Sequence, residues 1–212
     1  PGLEPFRYGG GGTVTRFVCG FLACNRSMCR PLLDALPRVL RIPIGDGAAS
    51  SLLRELLRLG VLESSAAAQP GAQSTVTKLA ELVFVEALRC YAGSLPPGGK
   101  GWLAAVRDSQ VGHALALLHG EPGRAWTVDV LAREVALSRS ALAGRFATLV
   151  GEPPMQYLTR WRLALAARTL RTGSEALSRV AERSGYESQA AFNRAFKREF
   201  GLPPAAWRRA AA

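Results

Sequence analysis

A mainly α-helical fold ending in two consecutive helix-turn-helix motifs is what this sequence predicts. Three observations carry that expectation. The last third of the chain nearly repeats itself: residues 131–154 read LAREVALSRSALAGRFATLVGEPP and residues 180–204 read VAERSGYESQAAFNRAFKREFGLPP. Phe146 and Phe196, Gly151 and Gly201, and Pro154 and Pro204 match at an offset of 50, whereas Ala132 and Ala181 match at 49, so the second copy carries one extra residue in its turn. Each copy reads as a short amphipathic helix, a tight turn and a longer helix with polar residues. The third observation is the placing of Ser, Thr and Pro at the helix starts, where hydroxyls accept free first-turn N–H groups and Pro fits the first helical position.

The elements follow in order. Residues 1–12 read as loop, with RYGGGG at 7–12 as open backbone. TVTRFVCGFLAC at 13–24 is rich in β-branched and aromatic residues and predicts a strand; a weaker strand is expected near Val39–Ile44. One or two strands cannot bury a sheet face alone. PLLDALP at 31–37 predicts a short helical turn, and Ser50 or Ser51 a capped helix to about Leu59. Residues 64–73 read as a polar loop. Thr75 to Tyr91 predicts a helix whose mixed apolar face is Leu79, Leu82, Val83, Glu86 and Ala87. LPPGGKG at 95–101 reads as a linker. Seven helices are expected beyond it. They are Val111–Leu118; one capped by Thr127 to Val135; one capped by Ser138 to about Leu149; a long one from Pro154 to about Leu170; one capped by Ser174 to Ser184; one capped by Ser188 to Phe200; and a short one from Pro203.

Charge narrows the partner class. The 212 residues carry a formal charge of +11, and the sequence pI is near 10.5. Residues 100–212 hold 17 Lys and Arg against 9 Asp and Glu; residues 1–99 hold 10 against 7. A basic half-chain built of helices suits a polyanion. No stretch reaches the roughly 18 apolar residues of a membrane span. No signal-peptide pattern is present, and the expected location is cytoplasmic. The chain opens on Pro-Gly without an initiator Met, so the expectation is that more sequence precedes it. Cys19, Cys24 and Cys29 are spaced by four intervening residues, unlike the common zinc pairs, and Cys90 stands apart; reduced thiols are expected, with a thiol redox sensor as the competing reading.

The tandem repeat, the long segment QYLTRWRLALAARTL and the ending GYESQAAFNRAFKREFGLPPAAWR resemble the AraC/XylS transcription regulators over about residues 105–209. The segments RYGGGGTVTRFVCGFLACN and PLLDALPRVL resemble the later half of the cupin-like sensor domain in one branch of that family, a barrel that normally has several more strands upstream. The resemblance implies a partial cupin-like α+β sensor and dimerisation region over 1–95, a linker over 96–104, and a homeodomain-like DNA-binding domain over 105–212. It implies double-stranded DNA as partner, a small-molecule effector and a second copy of the chain as candidate partners, and RNA polymerase if the protein activates. No cofactor is implied.

A major groove admits one α-helix, and two helices on a rigid connector can enter successive grooves about 34 Å apart. In the connector, Leu158, Trp161, Leu165 and Ala166 are expected to face the cores; Arg160, Arg162 and Arg168 are either phosphate contacts or a solvated face. In the second recognition helix the resemblance places Ser188, Gln189, Ala190, Asn193 and Arg194 at the DNA, with Lys197 a turn further at phosphate. Gln and Asn can pair two-point with adenine and Arg with guanine. Phe192, Phe196 and Phe200, spaced by four, read as core. In the first recognition helix the corresponding positions are Ser140, Ala143 and Gly144, which are small; Arg139 and Ser140 are the better candidate contacts, and Arg145 lies nearer the core. Gly185 is expected to need a positive φ or a close helix approach in its turn.

No Ser-His-Asp order, phosphate-binding Gly loop or HExxH run occurs, so no catalytic residue or metal ligand is assigned. A cupin-type metal oxygenase would need histidines clustered on strands, and His113 and His119 are expected on a helix. Two alternatives to a plain regulator stay open: an alkyl-DNA-repair regulator with a cysteine-held zinc domain, and the thiol redox sensor. The helix Thr75–Tyr91 either pairs with its copy in a second subunit or packs on its own domain.

Overall fold

A computed structural model describes residues 11–13, 19, 21, 23–24, 26–44, 48–65, 69–96 and 99–210. The described residues form helices α1 (Arg26–Ala35), α2 (Ala48–Ser65), α3 (Ala72–Ser94), α4 (Trp102–Arg107), α5 (Ser109–Gly120), α6 (Val128–Glu134), α7 (Arg139–Val150), α8 (Pro154–Thr172), α9 (Leu177–Arg183), α10 (Gln189–Phe200) and α11 (Pro204–Arg209). The chain divides into two compact units, residues 1–24 with 37–95 and residues 25–36 with 96–212.

In the first unit, α2 and α3 pack as a helical hairpin closed at Gly71. Leu53, Leu56 and Ala72 are buried within it, while Leu62 and Leu82 stay about half exposed. Leu82 therefore does not join a buried face, and Glu86, expected beside it, is the buried residue. α2 runs six residues past Leu59 because its leucine pattern continues through Val61 and Leu62, so the expected 64–73 loop shrinks at both ends. No strand occurs among the described residues. The strand expected over 13–24 falls largely on residues outside those described. Val39–Ile44 forms no ladder with the described residues: Val39 is exposed, no described strand supplies partners, and Pro43 lacks an N–H. Where it is described the N-terminal region is mainly helical, and the α+β expectation for it is not confirmed.

In the second unit the described residues contain eight helices after residue 96, not seven. Gly101 opens α4 within the stretch expected as linker, and its N–H donates to the Leu149 carbonyl at 3.0 Å. Asp108 then splits the run in two. Its Oδ1 accepts the N–H groups of Gln110 (3.1 Å) and Val111 (2.9 Å), capping α5. A Cβ on Gly112 would stand 2.5 Å from the Val106 carbonyl oxygen, so glycine is what lets α5 pass against α4. α1 packs on α4 and α8.

Two hydrophobic cores form around the two ends of α8. The first gathers Leu115, Leu118, Trp126, Leu131, Leu142 and Phe146 with Tyr157 and Leu158 of α8. The second gathers Val180, Ala181, Phe192 and Phe196 with Leu163, Ala166, Ala167 and Leu170 of α8. Leu142 and Phe192, and Phe146 and Phe196, are fully buried at the repeat offset of 50. Trp207 of α11 donates to the Ala167 carbonyl at 3.1 Å and closes the second core.

Candidate nucleic-acid interface

The two motifs share the serine cap of the second helix and the closure of the turn. Thr127 accepts the Val130 N–H and starts α6; Ser138 accepts the Ala141 N–H and starts α7; Ser188 accepts the Ala191 N–H and starts α10. Ser174 does not cap α9, which begins at Leu177 after Ala176. The turns close identically at offset 49. Leu137 N–H donates to Ala132 and Tyr186 N–H to Ala181, while Ala136 and Gly185 take positive φ of 53° and 77°. The second turn then inserts Glu187 before its capping serine. Gly151 and Gly201, both left-handed, end α7 and α10, and a Pro-Pro pair follows each.

α10 presents Gln189, Ala190, Arg194 and Lys197 exposed along its outer side, with Ser188 at its tip. Asn193 on the same helix is half-buried, and its Oδ1 is enclosed without a hydrogen-bond partner. Arg194 and Lys197 have no salt-bridge partner among the described residues. Phe192 and Phe196 point the other way, into the core, and Phe200 stacks against Trp207 at 5.0 Å.

α7 differs. Ser140 and Gly144 are exposed and Ala143 half-buried, and a Cβ on Gly144 would meet nothing within 4 Å. Arg139 reaches Asp129 of α6 at 3.2 Å, with both side chains more than half exposed, a pair that water and salt weaken. Arg145 is committed elsewhere: it donates to Asp108 Oδ2 (Nε, 2.9 Å) and to Gln110 Oε1 (Nη1, 2.7 Å), tying α7 to the start of α5. Burial pushes the Asp108 carboxyl up, but the Val111 N–H, the Arg145 guanidinium and the Gln110 N–H together hold it below the usual carboxylate range. The outward face of α7 is therefore small and nearly uncharged, while that of α10 is cationic.

The three α8 arginines singled out above, Arg160, Arg162 and Arg168, separate. Arg160 pairs with Glu152. Arg168 is exposed. Arg162 donates from Nε to the Pro122 carbonyl (2.6 Å) and from Nη2 to the Arg124 carbonyl (2.8 Å), a role that no local pattern marks. Of the residues expected to face the cores, Leu158 and Ala166 are buried and Trp161 and Leu165 half-buried; Leu163, Ala164, Ala167 and Leu170 are buried as well. On α5, His119 is half-buried, its Nε2 lies 2.7 Å from the Tyr157 hydroxyl, and its ring stacks on Trp161 at 4.4 Å. Burial lowers its pKa below the ordinary histidine value. Among the described residues no group of His, Cys, Asp and Glu could hold a metal ion, and no helix is long and apolar enough to cross a membrane.

Comparison with known proteins adds two family models. One described as a helix-turn-helix domain matches residues 131–210, and one described as a cupin matches residues 1–93. A protein of Streptomyces lividans named as an AraC-like transcription regulator is 40% identical over 179 residues, covering 84% of this chain and 58% of its own. The RCS-specific HTH-type transcriptional activator RclR of Escherichia coli is 30% identical over 195 residues, covering 92% of this chain and 68% of its own. The DNA-binding domain of AdpA, solved in complex with a target DNA, matches at 32% identity with a TM-score of 0.46, covering 49% of this chain and 92% of that one. The chain spans under three fifths of the length of the first curated relatives it matches.

Proposed function

Because this chain belongs to the AraC/XylS family of transcription regulators, we propose that it is a sequence-specific DNA-binding regulator that reads an operator with α7 and α10 in successive major grooves. The observation that carries this reading is the pair of helix-turn-helix motifs, alike in turn closure and in the serine cap of the second helix, on one continuous α8. At 1.5 Å per residue its 19 residues span roughly 28 Å, close to one turn of duplex.

The two helices divide the work. On α10, Gln189, Asn193 and Arg194 read base edges, Lys197 holds phosphate, and Ser188 and Ala190 line the contact. On α7, Arg139 leaves Asp129 for phosphate, and Ser140, Ala143 and Gly144 let the helix backbone approach closely while discriminating little. Residues 1–95 are a sensor and dimerisation region of cupin type, taking a small-molecule effector and a second copy of the chain. The protein acts in the cytoplasm as a regulator, not an enzyme, with RNA polymerase as partner where it activates.

The test is affinity for a duplex that the chain itself selects from a random pool, measured against salt. Contacts to phosphate release counterions, so log affinity should fall linearly with log salt. A flat plot, or no selected duplex, refutes the reading.

A further inference from the structure

We propose that Arg162 is a positioning residue that ties the second motif's turn to the segment leading into the first, and so sets the half-site spacing at which the two recognition helices engage DNA. This rests on the bipartite reading above.

The two hydrophobic cores are separate clusters, and α8 is built into both: Tyr157 and Leu158 belong to the first, Leu163 to Leu170 to the second. A helix fixes the axial distance between them. It does less against bending and twisting, since helices of this length curve readily. A lateral tie at the junction supplies what the helix lacks. Arg162 stands there, at the ninth of 19 residues.

On one side its Nε and Nη2 hold the carbonyls of Pro122 and Arg124. That connection is itself braced. Trp126 Nε1 donates to the Glu121 carbonyl at 2.9 Å, the Arg124 guanidinium lies 4.1 Å over the Trp126 ring, and Arg124 pairs with Glu134 of α6 at 2.7 Å. On the other side the guanidinium lies against the backbone of Gly185, where a Cβ would stand 2.7 Å from Nη1 and 3.0 Å from Cζ. One planar group thus fills the space between the entry to the first motif and the turn that aims α10. Burial lowers the Arg162 pKa, and the neighbouring Tyr186 phenol opposes that shift. Lysine could not replace it fully, because a single ammonium on a flexible stem lacks the fixed fork that reaches two carbonyls while presenting a flat face to a glycine.

The experiment uses the 212-residue chain and the duplex it selects from a random pool, together with versions of that duplex carrying one or two base pairs inserted or deleted between the halves. When both helices cannot engage together, the gain from linked binding is lost, so wild type should weaken by about a hundredfold on the mis-spaced duplexes. Arg162→Met, which keeps the apolar stem and removes the donors, should weaken on the original duplex and show a flattened profile, with less than about tenfold between spacings. Arg162→Lys should fall between them. Folding is checked by circular dichroism, and if Arg162→Met does not fold the Lys variant is read in the same way. A folded variant that keeps the wild-type spacing profile overturns the proposal, however far its stability falls. A wild-type chain whose selected duplex has one half, with no spacing preference, overturns the bipartite reading and this inference with it.

Discussion

Gly185→Ala separates backbone strain from displacement of a neighbour, because the chain already carries an alanine at the matching place in its first turn. Ala136 sits there with φ 53°, so a left-handed alanine is tolerated at about 1 kcal/mol. Gly185 has φ 77°, and the same strain applies. The difference is Arg162, whose guanidinium occupies the place of an added Cβ. It would have to shift, at the extreme breaking its two hydrogen bonds to carbonyls. At a half-buried site these are worth about 1 kcal/mol each, so the substitution should cost more than the strain alone and up to about 3 kcal/mol in all. In an Arg162→Met background only the strain remains, about 1 kcal/mol, which makes the coupling up to about 2 kcal/mol. Urea unfolding of the two single variants and the double variant, followed by tryptophan fluorescence, measures this directly, since Trp102, Trp126, Trp161 and Trp207 all lie in the second unit. Costs that add within about 0.5 kcal/mol would refute the contact as an energetic link.

Three further outcomes are expected. Arg194→Ala should cost about 1–3 kcal/mol on the selected duplex and relax base preference in one half only, whereas Ala143→Ser should change little; equal effects in a binding titration would contradict the division between α10 and α7. Ala136→Gly should raise stability by under about 1 kcal/mol, because relief of left-handed strain exceeds the entropy that glycine adds to the unfolded chain; a lower urea midpoint would show the turn unstrained. Asp108 has a folded pKa below its unfolded value, so its contribution is present above pH ~4 and is lost as pH falls through the folded pKa; Asp108→Asn, which still caps α5, should cost under about 1 kcal/mol at pH 7 and nothing at acid pH. A cost unchanged between the two would remove the Arg145 pair as its source.

Legibility in the sequence followed the range of the interaction. Caps and turn closures act within three to five residues, so Thr127, Ser138 and Ser188, and the positive φ of Gly185, could be read from local pattern. The repeat made the paired cores Phe146 and Phe196 visible because one fold was written twice. Ser174 misled because a serine two residues early looks the same as a cap. The start of α4 was hidden by the Pro-Gly stretch before it, which reads as linker although Trp102 is anchored to the Tyr157 hydroxyl 55 positions away. Arg162 was illegible for the same reason: its partners lie 38 and 40 residues back, and an arginine on a polar-looking helix face carries no mark of what it touches. On the helices proposed to face DNA, residue type offered both Arg139 and Arg145, and helix position already set Arg145 nearer the core. Only geometry showed that Arg145 is engaged by Asp108 and Gln110 while Arg194 is left facing outward.

On the proposed function, two helices on one rigid connector read two grooves at once. Hydroxyl-radical footprinting of the wild-type chain on its selected duplex tests this most directly. Two protected patches on one face, about 10 base pairs apart, are the predicted result. A single unbroken patch, or two patches on opposite faces of the duplex, would contradict it.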